Sequence, residues 1–398
     1  MFKSHYQRFC SQHAGELHFT AHSHQFWPDV TRDAMLQCWD DAARYVDGKW
    51  EHLFRELIPE TRGLIAKIIG SNSPEQIVFA PSSHEFVCRL LSCFEPGKPL
   101  AVLTTDSEFH SFRRQLTRFA EYPWTRVRQV AAEPLSSFEE RFLAALMEQP
   151  YQLVFLSQVF YNSGLALQNL SDFMIQVIRQ APEDTVIVLD AYHGFCAVPT
   201  EIGPFADRIF YLAGGYKYAQ AGEGVCFLHV PPGCQLRPAN TGWFAELGSL
   251  AESVPARIAY PDDGQRFAGA TFDPCGIYRL RAVLRLFEQL GLDTHAIHRH
   301  VEGLQQHFAR RLKHLNHPVV DEDKLLFEPG RLHGHFLTFQ SASVEAASAA
   351  VRELSARSVH VDHRGSRLRF GFGIYHDSND IDELFKRLDQ PINPIGKP

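Results

Sequence analysis

A chain of 398 residues with 45% hydrophobic and 21% charged content is an ordinary globular sequence, long enough that two domains are expected. Its 39 basic and 46 acidic residues leave a formal charge of −7 with no long block of one sign, which argues against a nucleic-acid-binding surface. No apolar run approaches the ~20 residues that span a bilayer. The N-terminal stretch lacks a secretory signal and the eight cysteines form no CxxC pair, so a cytoplasmic protein with reduced thiols is expected.

Short runs rich in Val, Ile, Leu and Phe recur at 77–81, 100–106, 127–131, 153–159, 186–192, 209–213 and 225–230. Their continuous apolar character predicts strands buried on both faces. Helical spacing occupies 85–94, 109–120, 137–148 and 170–180, the pattern of a mainly parallel sheet flanked by helices. Residues 231–265 have little periodicity and read as loop and linker. Beyond Pro274 the pattern changes. Ile277, Leu280, Val283, Leu284, Phe287 and Leu290 fall on one face of a long helix. A strand at 335–339, an alanine-rich helix at 344–357, strands at 359–362 and 368–372 and a helix from Asp380 complete a small α/β unit. No GxGxxG follows a strand, so a dinucleotide-binding fold has no support.

The chemistry concentrates in 186–224. An apolar run ends in Asp190, His193 follows, and Lys217 stands on a turn framed by Gly214, Gly215, Gly222 and Gly224. A strand-end carboxylate followed by a lysine on a glycine-rich turn is the pairing that pyridoxal phosphate (PLP) requires. The carboxylate keeps the ring nitrogen protonated, and the lysine amine is the covalent anchor. Ser82 and Ser83 follow a strand and begin a helix, where hydroxyls and backbone N–H groups receive a phosphate; a plain N-cap serine is the simpler alternative.

The segments DAYH (190–193), GGYKYAQAGEG (214–224), TGWF (241–244), RFAGATFDP (266–274) and VDHRGSRLRFGFGIYH (361–376) resemble the fold-type I PLP enzymes of the class V aminotransferase superfamily, and within it kynureninase. The resemblance implies an α/β fold with a mainly parallel seven-stranded sheet. It also implies a large domain at 25–265 and a small one built from 1–24 and 266–398. Lys217 would be the Schiff-base lysine, Asp190 the partner of the pyridine nitrogen, and His193 a support for Asp190 or the ring oxygen. Tyr216 would bind the phosphate and assist proton transfer. Phe109 would stack on the ring, and Asn162, where kynureninase has a tyrosine, would meet the ring oxygen. Phe112 replaces a phosphate-binding aspartate, with His110, Ser111 or Arg113 open as substitutes. Thr271 would reach the phosphate of a partner subunit, implying a homodimer with shared sites.

The resemblance places Arg369, which begins RFGFGIY, at the active-site edge of the small domain, and its planar fork would match the substrate α-carboxylate with two hydrogen bonds. Arg364 and Arg367 compete for that role. Trp243 and His22 are the further substrate-contact candidates. His18, His22 and His24 suggest a metal at first sight, but no acidic or cysteine partner is credited to them and no metal is expected. A desulfurase reading is set aside because 359–372 contains no cysteine. The expected activity is hydrolytic Cβ–Cγ cleavage of kynurenine or a related aryl-ketone amino acid. A class V aminotransferase is the alternative, and a silent PLP-fold binding protein the remaining one.

Overall fold

Every apolar run expected to be a strand in the first part of the chain is one. The computed structural model describes residues 2–249, 257–315 and 317–389, so 250–256 of the expected linker lie outside the described residues. After the short β1 (Leu17–His18) come β2 (Ile77–Ala80), β3 (Leu100–Thr105), β4 (Thr125–Val130), β5 (Leu153–Ser157), β6 (Val186–Asp190), β7 (Ile209–Gly214) and β8 (Cys226–His229). The last seven form one sheet in the order β2-β8-β7-β6-β5-β3-β4. Only β8 is reversed, running antiparallel to β2 and β7. The carboxyl ends of the other six therefore share one edge, where open α/β sheets bind their ligands.

Burial explains the sequence pattern. β2, β5, β7 and β8 are buried at every residue because helices cover both faces. β4, at the sheet edge, instead carries exposed Arg126, Arg128 and Gln129, a charged rim that discourages edge-to-edge association. The expected helices lie at Ser83–Leu91, His110–Phe119, Phe138–Leu146 and Leu170–Gln180. A helix at Val30–Tyr45 gave no periodic signal. It buries only Thr31, Ala34 and Asp41 and leaves Met35, Leu36 and Trp39 exposed, so its apolar residues do not mark an inner face.

The long helix Cys275–Gln289 packs into the core of the large sheet through Ile277, Leu280, Val283, Leu284 and Phe287. A further helix, Thr294–Leu312, leads into β9 (Phe336–Gln340), β10 (Val359–His360), β11 (Asp362–Arg364) and β12 (Arg367–Gly371). The expected strand at 359–362 is divided. β10 pairs in parallel with β1, and after Val361 the chain changes partner, so β11 joins the antiparallel sheet β11-β12-β9. Phe308, Phe339, Phe370, Phe372 and Phe385 form the core here, together with Phe19 from the N-terminal segment. Burial of each such side chain stabilises by roughly 1.5–3 kcal/mol.

Candidate active site

Five strand ends converge on one cavity. A space of 220 Å³ at the carboxyl edge is lined by residues following β2 (Ser82, Ser83, His84), β3 (Phe109, Ser111, Phe112), β5 (Ser157, Tyr161), β6 (Asp190, Tyr192, His193) and β7 (Tyr216, Lys217). Gly214 makes the last turn possible, because a Cβ there would stand 2.3 Å from the Tyr192 hydroxyl oxygen and 2.6 Å from Cys226 Sγ.

Lys217 is buried with its Nζ 2.5 Å from His193 Nε2. The rings of Phe109, Tyr192 and Tyr216 surround the amine at 5.4, 5.0 and 5.7 Å. Burial lowers the Lys217 pKa; Asp190 opposes that effect, while Arg369 and Arg364 add to it. Burial raises the Asp190 pKa, against the Tyr192 N–H that its carboxylate accepts at 2.9 Å and the attraction of Lys217. Burial also drives the His193 pKa well below its usual value, with Lys217 and Arg369 adding to it, and its Nδ1 is buried without a protein partner. Tyr216 is pushed up to about 12, chiefly by burial, so its phenol keeps its proton at neutral pH.

A second cavity of 400 Å³ opens beside the first, sharing Phe109, Tyr161, His193, Tyr216 and Lys217 and adding His22, Ser23, His24, Asp362, Arg364 and Arg369. Arg369 is fully enclosed. Its Nε and Nη2 donate to the two oxygens of Asp362 at 2.8 and 2.6 Å, and its Nη1 donates to the Tyr161 carbonyl at 2.6 Å. His22 Nε2 donates to the same carboxylate at 2.7 Å and Ser23 Oγ at 2.6 Å. Burial alone raises the Asp362 pKa, but His22 and Arg369 together hold it far below the carboxylate range. Burial lowers His22 to about 4, so the imidazole is neutral. Gly371 admits this arrangement, since a Cβ there would meet His22 Nδ1 at 2.2 Å.

The three candidate arginines separate cleanly. Arg367 leaves the site, pairing with Glu133 at 2.6 Å and Gln340 at 3.2 Å. Arg364 lines the mouth with no side-chain hydrogen bond or ion pair to another described residue. Asn162 does not line either cavity; its Nδ2 donates to Ser107 Oγ at 3.2 Å, and the neighbouring Tyr161 takes the lining position. Trp243 and Thr271 lie outside both cavities, bonded to each other through Nε1 and Oγ1 at 3.3 Å. Ser82 caps its helix, accepting from Glu85 N at 3.4 Å, and also lines the cavity. Of the substitutes for the missing aspartate, Ser111 reaches the cavity, whereas Arg113 donates to His110 at 2.8 Å away from it. Phe112 is stacked on Phe155 with centroids 3.6 Å apart.

Three lining residues carried no sequence signal. His84, Tyr161 and Tyr192 lie beside motif residues but are singled out only by the fold. The histidines also part company. His22 joins Asp362, His24 lies 3.8 Å from Glu223, and His18 has an acidic partner after all, Glu16 at 2.9 Å.

The donor set fits PLP. A helix N-terminus with Ser82, Ser83 and His84 suits the phosphate, Phe109 offers a stacking face, and Asp190 and Lys217 meet the ring nitrogen and the aldehyde carbon in chemical type. The fold and this donor set define a PLP enzyme of fold-type I. Residues 41–384 match the family model described as aminotransferase class-V, and the chain belongs to that PLP-dependent family. A kynureninase from Geobacillus thermodenitrificans (strain NG80-2) is 27% identical over 210 residues, which cover 50% of this chain and 47% of that protein. The chain thus matches about half the length of that relative. A probable cysteine desulfurase from Pasteurella multocida (strain Pm70) is 22% identical over 98% of this chain and 92% of its own. Among solved structures, a C-DES variant with glycine covalently linked to its PLP cofactor has a TM-score of 0.81 at 17% identity, covering 97% of this chain and 98% of that one. The cysteine desulfurase CsdA from Escherichia coli has a TM-score of 0.78 at 14% identity, covering 98% and 96%. These two share the fold. One of the two, CsdA, is a cysteine desulfurase, a reading that the absence of a cysteine in 359–372 had set aside.

Proposed function

We propose that this PLP enzyme cleaves a bond at the β-carbon of an amino-acid side chain, by kynureninase-type hydrolysis of a Cβ–Cγ bond. The observation that carries the reading is the continuity from Lys217 to a mouth with two arginines and no thiol. Bound PLP supplies an electron sink for negative charge at the substrate α-carbon. Lys217 anchors the cofactor and, with its amine held below the usual lysine pKa, returns a proton-transfer group to that carbon. Asp190 meets the pyridine nitrogen, and His193 holds the Lys217 amine in place. Tyr216, Ser82, Ser83 and Ser111 donate to the phosphate. Arg369, oriented by Asp362 and Tyr161, receives the α-carboxylate on its outer edge, and Arg364 completes the cation pair at the mouth.

A second reading, C–S bond cleavage of a sulfur amino acid, is favoured by the nearly full-length resemblance to a probable cysteine desulfurase and by the cystine C-S lyase among the fold neighbours. Transfer of sulfur to a protein thiol does not suit this chain. Cys226 is the one cysteine lining either cavity; it is buried beside the Tyr192 hydroxyl, and burial pushes its thiol up to about 12.

We further propose a homodimer in which Thr271 and Trp243 serve the partner's site. The support is their position on the surface together with the exposed apolar Met35 and Trp39, which lie against Cys275 and Tyr278. No helix among the described residues is long and apolar enough to cross a membrane.

Incubating the holoenzyme with kynurenine, cystine and other amino acids, with and without a 2-oxo acid, separates the readings by mass analysis. Alanine plus an aromatic acid without an acceptor supports hydrolysis, and sulfur release supports the lyase. Turnover that requires the acceptor identifies an aminotransferase.

A further inference from the structure

Three histidines from the N-terminal segment and β10 converge on a single carboxylate oxygen of Glu16. Glu16 Oε2 lies 2.9 Å from His13 Nδ1, 2.9 Å from His18 Nε2 and 3.5 Å from His360 Nε2. The ligand atoms of His13, Glu16 and His18 all lie within 4.8 Å of one another. His18 and His360 are register partners in the β1–β10 pair, with rings stacked at 4.2 Å, so both project from the same side of that ribbon. His360 Nε2 is buried and has no hydrogen-bond partner.

We propose that His13, Glu16, His18 and His360 form a zinc site that staples β1 to β10. Three imidazole nitrogens and one carboxylate oxygen are a donor set that divalent zinc takes in four-coordinate geometry. Tetrahedral bonds of about 2.0–2.1 Å put neighbouring ligand atoms roughly 3.3 Å apart. The three nitrogen-to-oxygen separations here bracket that value; the stacked His18 and His360 rings must turn about their side-chain bonds for both nitrogens to face one ion. Phe26 holds two of the rings, stacking on His13 at 5.5 Å and packing on His18 at 5.4 Å.

The position gives the ion a consequence. The chain leaving His18 carries His22 and Ser23, and the chain leaving His360 carries Asp362. His22 and Ser23 both bond the Asp362 carboxylate that Arg369 also engages. An ion joining His18 to His360 fixes the two strands from which the carboxylate-binding end of the site is hung, without touching substrate or cofactor.

Calorimetric titration of the purified holoenzyme with Zn²⁺ tests this, alongside Co²⁺ difference spectra against the zinc-loaded protein. The expected result is one equivalent bound per chain, visible absorption of four-coordinate Co²⁺, and a zinc-dependent rise in Tm. Glu16→Gln, His18→Gln and His360→Gln should each weaken binding by about 100-fold or more, at or beyond the loss expected for an outer-shell partner. The control His295→Gln, an exposed histidine far along the chain, should bind as the parent does. Absence of a one-equivalent site in the parent protein, or binding and Co²⁺ spectra unchanged in the three variants, overturns the proposal. The Co²⁺ spectrum of the parent decides the coordination even if a variant fails to fold.

Discussion

Arg369 and Asp362 meet edge to edge, Nε to Oδ1 at 2.8 Å and Nη2 to Oδ2 at 2.6 Å, as direct register partners across the β11–β12 hairpin. The pairing fixes the guanidinium plane of a residue that lines the second cavity. It also places a carboxylate beside the cation proposed to receive the substrate carboxylate. Asp362→Asn should therefore raise KM for the amino acid by about tenfold or more, in line with ~1.5–3 kcal/mol for a hydrogen bond to a charged group, with a smaller effect on kcat. A fall in KM would mean that Asp362 competes with substrate and does not orient its receptor. Arg369→Lys should be more damaging than Arg364→Lys, and Arg367→Lys close to silent, because Arg367 is engaged by Glu133.

Lys217 should carry the cofactor alone. Borohydride reduction of the holoenzyme followed by peptide mapping should place PLP on the Lys217 peptide, and Lys217→Ala should abolish the covalent label. A label on another lysine rejects the assignment.

Asp190 should keep the pyridine nitrogen protonated. Asp190→Ala removes a preorganised charge contact, so kcat should fall by ~10²–10³-fold, about 3–4 kcal/mol. Near-normal turnover in steady-state assays would falsify the role.

Glu108 provides a pH test within the fold. It is buried between β3 and β5, accepting from Thr105 Oγ1 at 2.6 Å, Ser157 Oγ at 2.6 Å and Ser157 N at 3.1 Å. Burial pushes its carboxyl up to about 8 from the ordinary 4.5, with Asp190 nearby adding to it. The folded chain thus holds a proton that the unfolded chain releases. The resulting stability is fully present below pH 4.5 and is lost as pH rises toward 8, at ~1.4 kcal/mol per pH unit for one proton. Glu108→Gln mimics the protonated acid. Denaturant unfolding should show this variant gaining on the parent across that window; parallel pH profiles refute the assignment.

Thr271 tests the shared site. If the partner's phosphate receives its hydroxyl, Thr271→Val should weaken PLP affinity, and the affinity of the parent should rise with protein concentration as dimers form. Sedimentation that finds a PLP-saturated, active monomer at nanomolar concentration argues that Thr271 is only a loop residue bonded to Trp243.

The amino-acid order by itself determined the seven-stranded sheet and the residues at its carboxyl edge. Strands buried on both faces must be continuously apolar, and the groups that follow them are local in the chain, so Ser82, Ser83, Asp190, His193 and Lys217 were readable in place, and the family resemblance added Phe109. The tertiary structure decided everything that depends on distant segments meeting. It gave Arg367 to Glu133 and Arg369 to Asp362 and Tyr161, and left Arg364 at the mouth with no side-chain hydrogen bond or ion pair to another described residue. It exchanged Asn162 for Tyr161 as a lining residue, since adjacent loop positions point in different directions and no periodicity marks which one faces the cavity. It joined His22 to Asp362, 340 positions apart, and His18 to His360 through the pairing of the N-terminal strand with β10. Such contacts leave no local pattern, because the free energy that selects them comes from burying two remote segments against each other, not from either segment alone.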